Sequence, residues 1–268
     1  MIKSSLFNYE LPKSSINQIP YQNPLDSKLL IAESKKIIYF KDLAQHIEKD
    51  SLFIFNKSTV QKVRILTEKK SGGSIEIFII KKINDRKAQC LLKSSDKKLM
   101  NKQYQTDIVN FEITDIDDGS FVCLFDKNID DLINNFGVLP LPPYIKDSPD
   151  KREFYNNEFS DQGFSVAAPT AGLHFTNKLI KGFKKENIET AFVNLDVNID
   201  TFKPIKNVNL NDHKIHNEYY SIEDTEFNKI LSYKNSNRSI YCIGTTTLRA
   251  IETAYITKKL KGKTDLFI

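Results

Sequence analysis

The sequence predicts an α/β protein in which a β-rich module is inserted into a layer of alternating strands and helices. Three observations lead to this prediction. The run SLFIFN (Ser51–Asn56) is short, apolar and typical of a buried strand. Several short runs rich in Ile, Val and Phe then follow, separated by turn residues. After Asp150 the pattern changes to strand, loop and helix, which is typical of an α/β layer.

Size and composition indicate a globular protein. The chain has 268 residues, of which 40% are hydrophobic, and a net charge of +5, which permits an anionic partner. Its apolar runs are too short to span a membrane, and its N-terminus has no signal-peptide core. The three cysteines are far apart and form no CxxC motif. We therefore expect reduced thiols and a cytoplasmic location.

The β-rich module is predicted between residues 63 and 150, within an α/β domain formed by residues 1–62 and 151–268. Gly72-Gly73 and Asp117-Asp118-Gly119 supply its turns. Short strands with tight turns favour a small sheet or a barrel. Its predicted strands are Lys62–Leu66, Ser74–Lys81, Lys87–Leu92, Ile108–Ile116 and Ser120–Phe125.

The second α/β segment is predicted to contain a helix capped by Thr176 and ending near Asn187. A strand is expected where Ala191, Val193, Leu195 and Val197 alternate with other residues, and another over Ser239–Ile243. A helix follows the turn that begins at Gly244. These alternations favour a largely parallel sheet, and the last three residues, LFI, resemble the start of one more strand.

The turn in YCIGTTTLRA joins a strand to a helix and has two interpretations. Gly244, Thr245 and Thr246 lie where the N-terminus of the helix offers unpaired N–H groups, and Arg249 adds a cation, so the turn is suited to bind an anion. Alternatively, a threonine caps the helix and Arg249 pairs with an acidic side chain at the surface.

Three of the four histidines, His174, His213 and His216, lie between positions 174 and 216, and Glu218 follows them. Histidine transfers protons near neutral pH, which favours a catalytic or substrate-binding role. The HxxH spacing of His213 and His216 also permits a metal site or a polar surface turn. A metal-dependent hydrolase is thus one alternative function.

The segment VAAPTAGLHF (Val166–Phe175) concentrates small residues before His174. Small residues allow another molecule to approach the backbone, and they equally allow a tight structural crossover. The residues alone leave both interpretations open.

Taken together, these motifs resemble the S-adenosylmethionine:tRNA ribosyltransferase-isomerases of queuosine biosynthesis. The strings occur in the family's order and span nearly the whole chain. They are FNYELP, PLDSKLL, SLFIFNKSTV, GGSIEIFII, VLPLPPYI, VAAPTAGLHFT, HKIHNEYYSI, CIGTTTLRAIET and GKTDLFI. The resemblance implies an α/β/α layered domain interrupted by an inserted β-barrel domain.

The resemblance also implies a reaction. S-adenosylmethionine would donate its ribosyl group to 7-aminomethyl-7-deazaguanine at the wobble position of a tRNA with a GUN anticodon. Epoxyqueuosine would form in the tRNA, and adenine and methionine would be released. No metal or redox cofactor and no membrane partner is implied. A non-catalytic nucleoside- or RNA-binding relative is the alternative of a different class.

The resemblance assigns candidate roles to residues. His174 would transfer protons, and Thr170 would bind the nucleoside. Further acid–base or ribose-binding groups would be His213, His216 and Glu218. The nucleoside would bind against the substrate-binding residues Ala168, Pro169, Thr170, Ala171 and Gly172. A methionine carboxylate or a tRNA phosphate would be bound by Gly244, Thr245, Thr246 and Arg249. No residue is assigned to a metal.

The chain departs from the family pattern at four places. Asn56-Lys57-Ser58-Thr59 replaces a string with an arginine, and Tyr155-Asn156-Asn157 replaces Tyr-Gln-Thr. The string LDVNIDTF (Leu195–Phe202) has Asp196 in place of a histidine, with Asn198 and Asp200 in place of glycines. The family also continues beyond the string TDLFI. We therefore expect a C-terminally truncated or divergent member, whose activity depends on these changes.

Overall fold

A computed structural model describes the chain except for residues 1, 97, 98, 100, 101, 118, 147, 153, 199–204, 206, 214 and 216. The structure divides into two compact units. Unit 1 comprises Met1–Val60 and Pro142–Ile268, and unit 2 comprises Gln61–Leu141. No helix among the described residues is long and apolar enough to cross a membrane.

A five-stranded mixed sheet is the centre of unit 1. Three of its strands are parallel, namely β3 (Leu52–Asn56), β13 (Glu189–Leu195) and β15 (Ile240–Ile243). Two antiparallel strands, β14 (Glu218–Ser221) and β16 (Lys261–Thr264), extend the sheet beyond β13. The strand order is β15-β3-β13-β14-β16. The prediction of a largely parallel sheet is therefore wrong for its β14–β16 side.

Helices pack on both faces of this sheet because alternate residues of β3 point to opposite sides. Leu52 and Ile54 join a core with residues of α4 (Asp224–Asn235) and α5 (Thr245–Thr257). Phe53 and Phe55 join a second core with Phe183 of α3 (Asn177–Phe183). The carboxyl ends of β3, β13 and β15 meet at one edge, which is where ligands bind in many α/β proteins.

Smaller elements complete unit 1. The strands β1 and β2 form a hairpin, and β4 and β12 form a parallel pair. Their bounds are β1 (Lys28–Ile31), β2 (Lys36–Tyr39), β4 (Ser58–Val60) and β12 (Gln162–Ser165), and α2 covers Pro149–Arg152. The pair β4 and β12 leads directly into the segment that begins at Val166.

Unit 2 contains a seven-stranded antiparallel sheet and helix α1 (Ile129–Phe136). The strand order is β11-β5-β6-β7-β10-β9-β8. Among the described residues the two outer strands do not pair, so the ladder is open, although an isolated bridge joins Lys69 to Thr106. The strands are β5 (Arg64–Glu68), β6 (Ser74–Lys82), β7 (Lys87–Ser94), β8 (Gln103–Tyr104), β9 (Phe111–Asp117), β10 (Ser120–Phe125) and β11 (Gly137–Val138).

Several local predictions are confirmed and one is wrong. Thr176 is the N-cap of α3, since its Oγ1 accepts a hydrogen bond of 3.2 Å from the amide of Leu179. Asn187 ends the following 3-10 turn in the left-handed conformation, with φ 56°. The predicted strand over LFI at residues 266–268 is wrong, because β16 ends at Thr264 and its last pairing is with Glu218.

Candidate functional site

The segment Val166–Phe175 leaves β12 and crosses the carboxyl edge of the parallel strands. Ala168 and Pro169 are buried, whereas Thr170 and Ala171 are exposed in a 3-10 turn that covers Thr170–His174. The turn contacts the second candidate segment, because a Cβ at Gly244 would lie 3.2 Å from the Cβ of Ala171. The structure therefore brings the 3-10 turn, through Ala171, against Gly244.

Gly244 links β15 to α5 in a conformation that favours glycine, with φ 86°. Thr245 is exposed at the first helical position, and Thr246 is half-buried beside it. The hydroxyl of the next residue, Thr247, donates to the carbonyl of Ile243 at 2.7 Å. The first turn of α5 therefore presents Thr245 and Thr246 beside the 3-10 turn, where the helix dipole favours a negative charge.

Arg249 and Glu218 form a buried ion pair between α5 and β14. Their side chains are 7% and 1% exposed, respectively. The guanidinium Nε of Arg249 also donates to the carbonyl of Leu266 at 2.7 Å, and Glu218 Oε1 accepts from the amide of Asn198 at 2.7 Å. The two residues predicted for anion binding and acid–base chemistry are thus paired with each other.

His174 lies in the same 3-10 turn, packed against the N-terminal part of unit 1. Its ring centroid is 5.2 Å from that of Phe40. Burial lowers the pKa of this imidazole, and the nearby carbonyl of Pro24 opposes part of the shift. A neutral imidazole at physiological pH is able to accept a proton.

Among the described residues, no contact places His213 beside His174. His213 is half-buried, with its ring 5.2 Å from that of Phe267 and its Nδ1 3.4 Å from Asn207 Oδ1. Phe267 directly follows Leu266, whose carbonyl accepts a hydrogen bond from Arg249. The ring contact with Phe267 therefore places His213 near the Glu218–Arg249 pair. His216 lies outside the described residues.

Two buried polar side chains beside the Thr170–His174 turn, Tyr155 and Asn157, were not among the predicted site residues. Asn157 donates to the carbonyl of Pro169 at 3.3 Å, and a Cβ at Gly172 would lie 2.8 Å from its amide. Among the described residues, Asn157 Oδ1 has no hydrogen-bond partner. The Ala168 amide approaches the hydroxyl of Tyr155 but does not form a hydrogen bond of good geometry with it. Burial raises the pKa of Tyr155 to about 12, against the opposing effect of the Ala168 amide, so the phenol stays protonated.

The sequence provided one signal for these two residues, since Tyr155-Asn156-Asn157 was recognised as a changed string. Its middle residue has a structural role, because Asn156 Oδ1 accepts from the amide of Val60 at 2.8 Å. Buried polar groups without partners are costly, which makes Tyr155 and Asn157 candidates for substrate contacts.

Asp196, an expected departure from the family pattern, fits its surroundings. Asp196 Oδ1 accepts hydrogen bonds from Ser58 Oγ at 2.8 Å, from the Phe164 amide at 2.9 Å and from Asn194 Nδ2 at 3.1 Å. Gly163, with φ 96°, makes room for this carboxylate, because a Cβ there would lie 2.5 Å from Asp196 Oδ1. Three donors thus stabilise the negative charge of Asp196.

The change at Asn56 is also accommodated by backbone hydrogen bonds. Asn56 Nδ2 donates to the carbonyl of Leu195 at 2.9 Å, and its Oδ1 accepts from the Leu195 amide at 3.0 Å and the Ser58 amide at 3.1 Å. Asn56 therefore holds the ends of β3 and β13 together at the edge where the candidate site lies.

A cavity of about 710 Å³ lies at the opposite edge of the sheet. Asp50 before β3, Glu189 at the start of β13 and Arg238 before β15 line it, so it opens at the amino ends of the parallel strands. None of the predicted site residues lines this cavity. In the described part of the chain, no group of three or more His, Cys, Asp or Glu is arranged to hold a metal ion.

Comparison with known proteins identifies the family. The profile of the family described as "Queuosine biosynthesis protein" matches residues 4–268. The chain belongs to this family. The queuosine biosynthesis profile thus covers both units and every candidate site residue.

Curated relatives in the queuosine biosynthesis family share one name, S-adenosylmethionine:tRNA ribosyltransferase-isomerase. The protein of Clostridioides difficile is 31% identical over 281 residues, which cover 100% of this chain and 82% of that protein. That of Thermotoga petrophila is 34% identical over 279 residues, with the same two coverages. A crystal structure of S-adenosylmethionine tRNA ribosyltransferase from Thermotoga maritima aligns with a TM-score of 0.46 and 24% identity, covering 98% of this chain and 78% of that one.

Proposed function

We propose that the chain transfers and isomerises the ribosyl group of S-adenosylmethionine to 7-aminomethyl-7-deazaguanine at the tRNA wobble position, which forms epoxyqueuosine in the tRNA. The observation that carries this proposal is the match to ribosyltransferase-isomerases that are 31% and 34% identical across the whole chain. The chain is an enzyme of queuosine biosynthesis, and its substrates are S-adenosylmethionine and tRNA.

The first step of the site chemistry is binding at the carboxyl edge of the parallel strands. The exposed Thr170–Ala171 turn and the adjacent Gly244 leave the backbone accessible to the nucleoside. The N-terminus of α5, with Thr245 and Thr246, is suited to the methionine carboxylate. The charge of Arg249 is balanced by the buried Glu218 carboxylate. Its buried Nη2 has no hydrogen-bond partner among the described residues, and we assign it as a further donor for the methionine carboxylate.

Proton transfer is the second step. The aminomethyl group must lose protons as it attacks, and the leaving adenine must gain one. His174 is neutral at physiological pH because burial lowers its pKa, so it is able to take a proton from the amine and return it to adenine. The Glu218–Arg249 pair then serves to hold β14 and α5 in place, with His213 as a further polar group near it.

Several finer features belong to the same proposal. The tRNA carries a GUN anticodon, the enzyme works in the cytoplasm, and no metal or redox cofactor takes part. The domain division at residues 1–62, 63–150 and 151–268 corresponds to an α/β/α domain with an inserted barrel. The outer strands of the unit 2 sheet do not pair with each other among the described residues. The isolated bridge between Lys69, which follows β5, and Thr106, which follows β8, supports closure of the barrel between these two sides of the sheet.

Adenine release tests the proposal. The wild-type protein, incubated with S-adenosylmethionine and tRNA that carries the precursor base, should release one adenine per epoxyqueuosine formed. The reaction should require both substrates and should continue in the presence of a chelator. Binding of both substrates without adenine release would instead support a non-catalytic relative, and loss of activity with the chelator would support a metal-dependent enzyme.

A further inference from the structure

Helix α3 and the turn after it carry a row of lysines on their solvent side. Lys178, Lys181 and Lys185 are spaced by three and four residues, so they lie on one face, here called the lysine face. The opposite face is apolar, since Leu179, Ile180 and Phe183 pack into the core. All three lysines are exposed.

The charges of the lysine face are exposed and, among the described residues, are not neutralised by ion pairs. In the described part of the chain none of its three lysines has an ion-pair partner. A minority of the described lysines are paired, for example Lys57 with Asp161 at 3.2 Å. The nearest acids by sequence are Glu186 and Glu189. Glu158 is more distant in sequence, and its carboxylate accepts a hydrogen bond from the Asn177 amide at 2.7 Å.

Position connects the lysine face to the candidate site. Helix α3 begins at Asn177, three residues after His174, and its seven residues extend for about 10 Å. A tRNA whose wobble nucleotide lies against the Thr170–His174 turn therefore has its neighbouring phosphates within reach of this face. Lysine suits such contacts, because its ammonium is a point charge on a flexible stem.

We propose that the lysine face binds phosphates of the anticodon arm while the adjacent turn holds the wobble nucleotide. This inference rests on the proposed function, because it requires tRNA to be the substrate. Such contacts are independent of sequence, and each one adds to the salt dependence of binding.

The test replaces all three lysines together, as Lys178→Gln, Lys181→Gln and Lys185→Gln, since glutamine preserves helix propensity. The matched control is Lys259→Gln, Lys261→Gln and Lys263→Gln. These lysines are also exposed, and they follow the C-terminal end of α5, about 20 Å along that helix from Gly244. Both variants lose three charges, so a general effect of net charge is the same in each.

Binding of precursor tRNA should be measured between about 50 and 200 mM salt, together with the KM values for tRNA and S-adenosylmethionine. The α3 variant should reduce the slope of log K against log salt by about 2, and its KM for tRNA should rise about tenfold or more. Its kcat and its KM for S-adenosylmethionine should be unchanged, and the control variant should behave as the wild type.

Two other outcomes are distinguishable. If the wild type is active, two results would refute the proposal that the lysine face binds tRNA. They are equal losses of tRNA binding in both variants and an unchanged salt slope in the α3 variant. A wild-type protein that neither binds precursor tRNA nor releases adenine would overturn the proposed function itself.

Discussion

At the scale of single residues, local signals were predictable and long-range partners were not. Thr176 was recognised as a cap because capping depends on neighbours three residues away. The pairing of Arg249 with Glu218 joins positions separated by 31 residues, and it depends on how β14 and α5 pack. Tyr155 and Asn157 were likewise missed, because only the folded chain buries them against the Ala168–Gly172 turn.

His174 gives a prediction about pH. Burial lowers its pKa below 6.5, so the neutral, proton-accepting form persists as the pH falls through that value. If this base carries the reaction, kcat/KM for the wild type should remain constant from pH 8 to about 6.5 and decline only at lower pH. His174→Gln should lower kcat by at least about a hundredfold and remove this acidic limb.

The pH dependence of unfolding provides a control for the His174→Gln substitution. The pKa of His174 is lower in the folded chain than in the unfolded chain, so the unfolded chain binds a proton on this histidine more readily. The contribution of the neutral ring to stability is therefore present above pH 6.5 and is lost as the pH falls through the folded pKa. His174→Gln should remove this part of the pH dependence of unfolding. A variant with wild-type turnover and an unchanged acidic limb would exclude His174 from proton transfer.

At the scale of elements, the sequence predicted those with a strong hydrophobic pattern. All five residues of β3 are buried, and β10 begins and ends where the pattern placed it. Helix α4 was missed because it buries only Ile230 and Tyr233 among many polar residues. The antiparallel strands β14 and β16 were missed for a related reason: Glu218 and Thr264 are buried polar residues that hide the usual alternation.

The Glu218–Arg249 pair gives a prediction about these elements. Glu218→Gln removes the negative charge but keeps the shape, so the buried guanidinium loses its partner, and we expect a loss of about 3 kcal/mol or more in the free energy of unfolding. Urea denaturation measures this loss in the free energy of unfolding. The control is Asp161→Asn, which removes the partly exposed pair with Lys57 and should cost about 1 kcal/mol or less. Equal costs for the two substitutions would show that the buried pair does not stabilise the junction.

At the scale of the whole molecule, the sequence predicted an inserted β-rich module because its turns and short strands differ from the strand–helix pattern on either side. Unit 2 has a core of its own, which includes Ile65, Ile77 and Ile79 from the sheet and Leu132 from α1, all fully buried. The sequence marks the bounds of the module less clearly than its presence. Prolines in VLPLPPYI obscure where it ends, and its first strand begins within a stretch of mixed polarity.

The core of unit 2 predicts that Gln61–Leu141, expressed alone, folds independently. Its antiparallel sheet and α1 bury their own apolar residues, and every strand of this sheet lies within that segment. The isolated segment should therefore show a β-type circular dichroism spectrum and a single cooperative thermal transition. The variant Ile77→Ala should lower the free energy of unfolding by about 2 to 4 kcal/mol, because it leaves a cavity in the centre of the sheet. A random-coil spectrum for the wild-type segment would mean that its core depends on the rest of the chain, and the inserted module would then not be an autonomous domain.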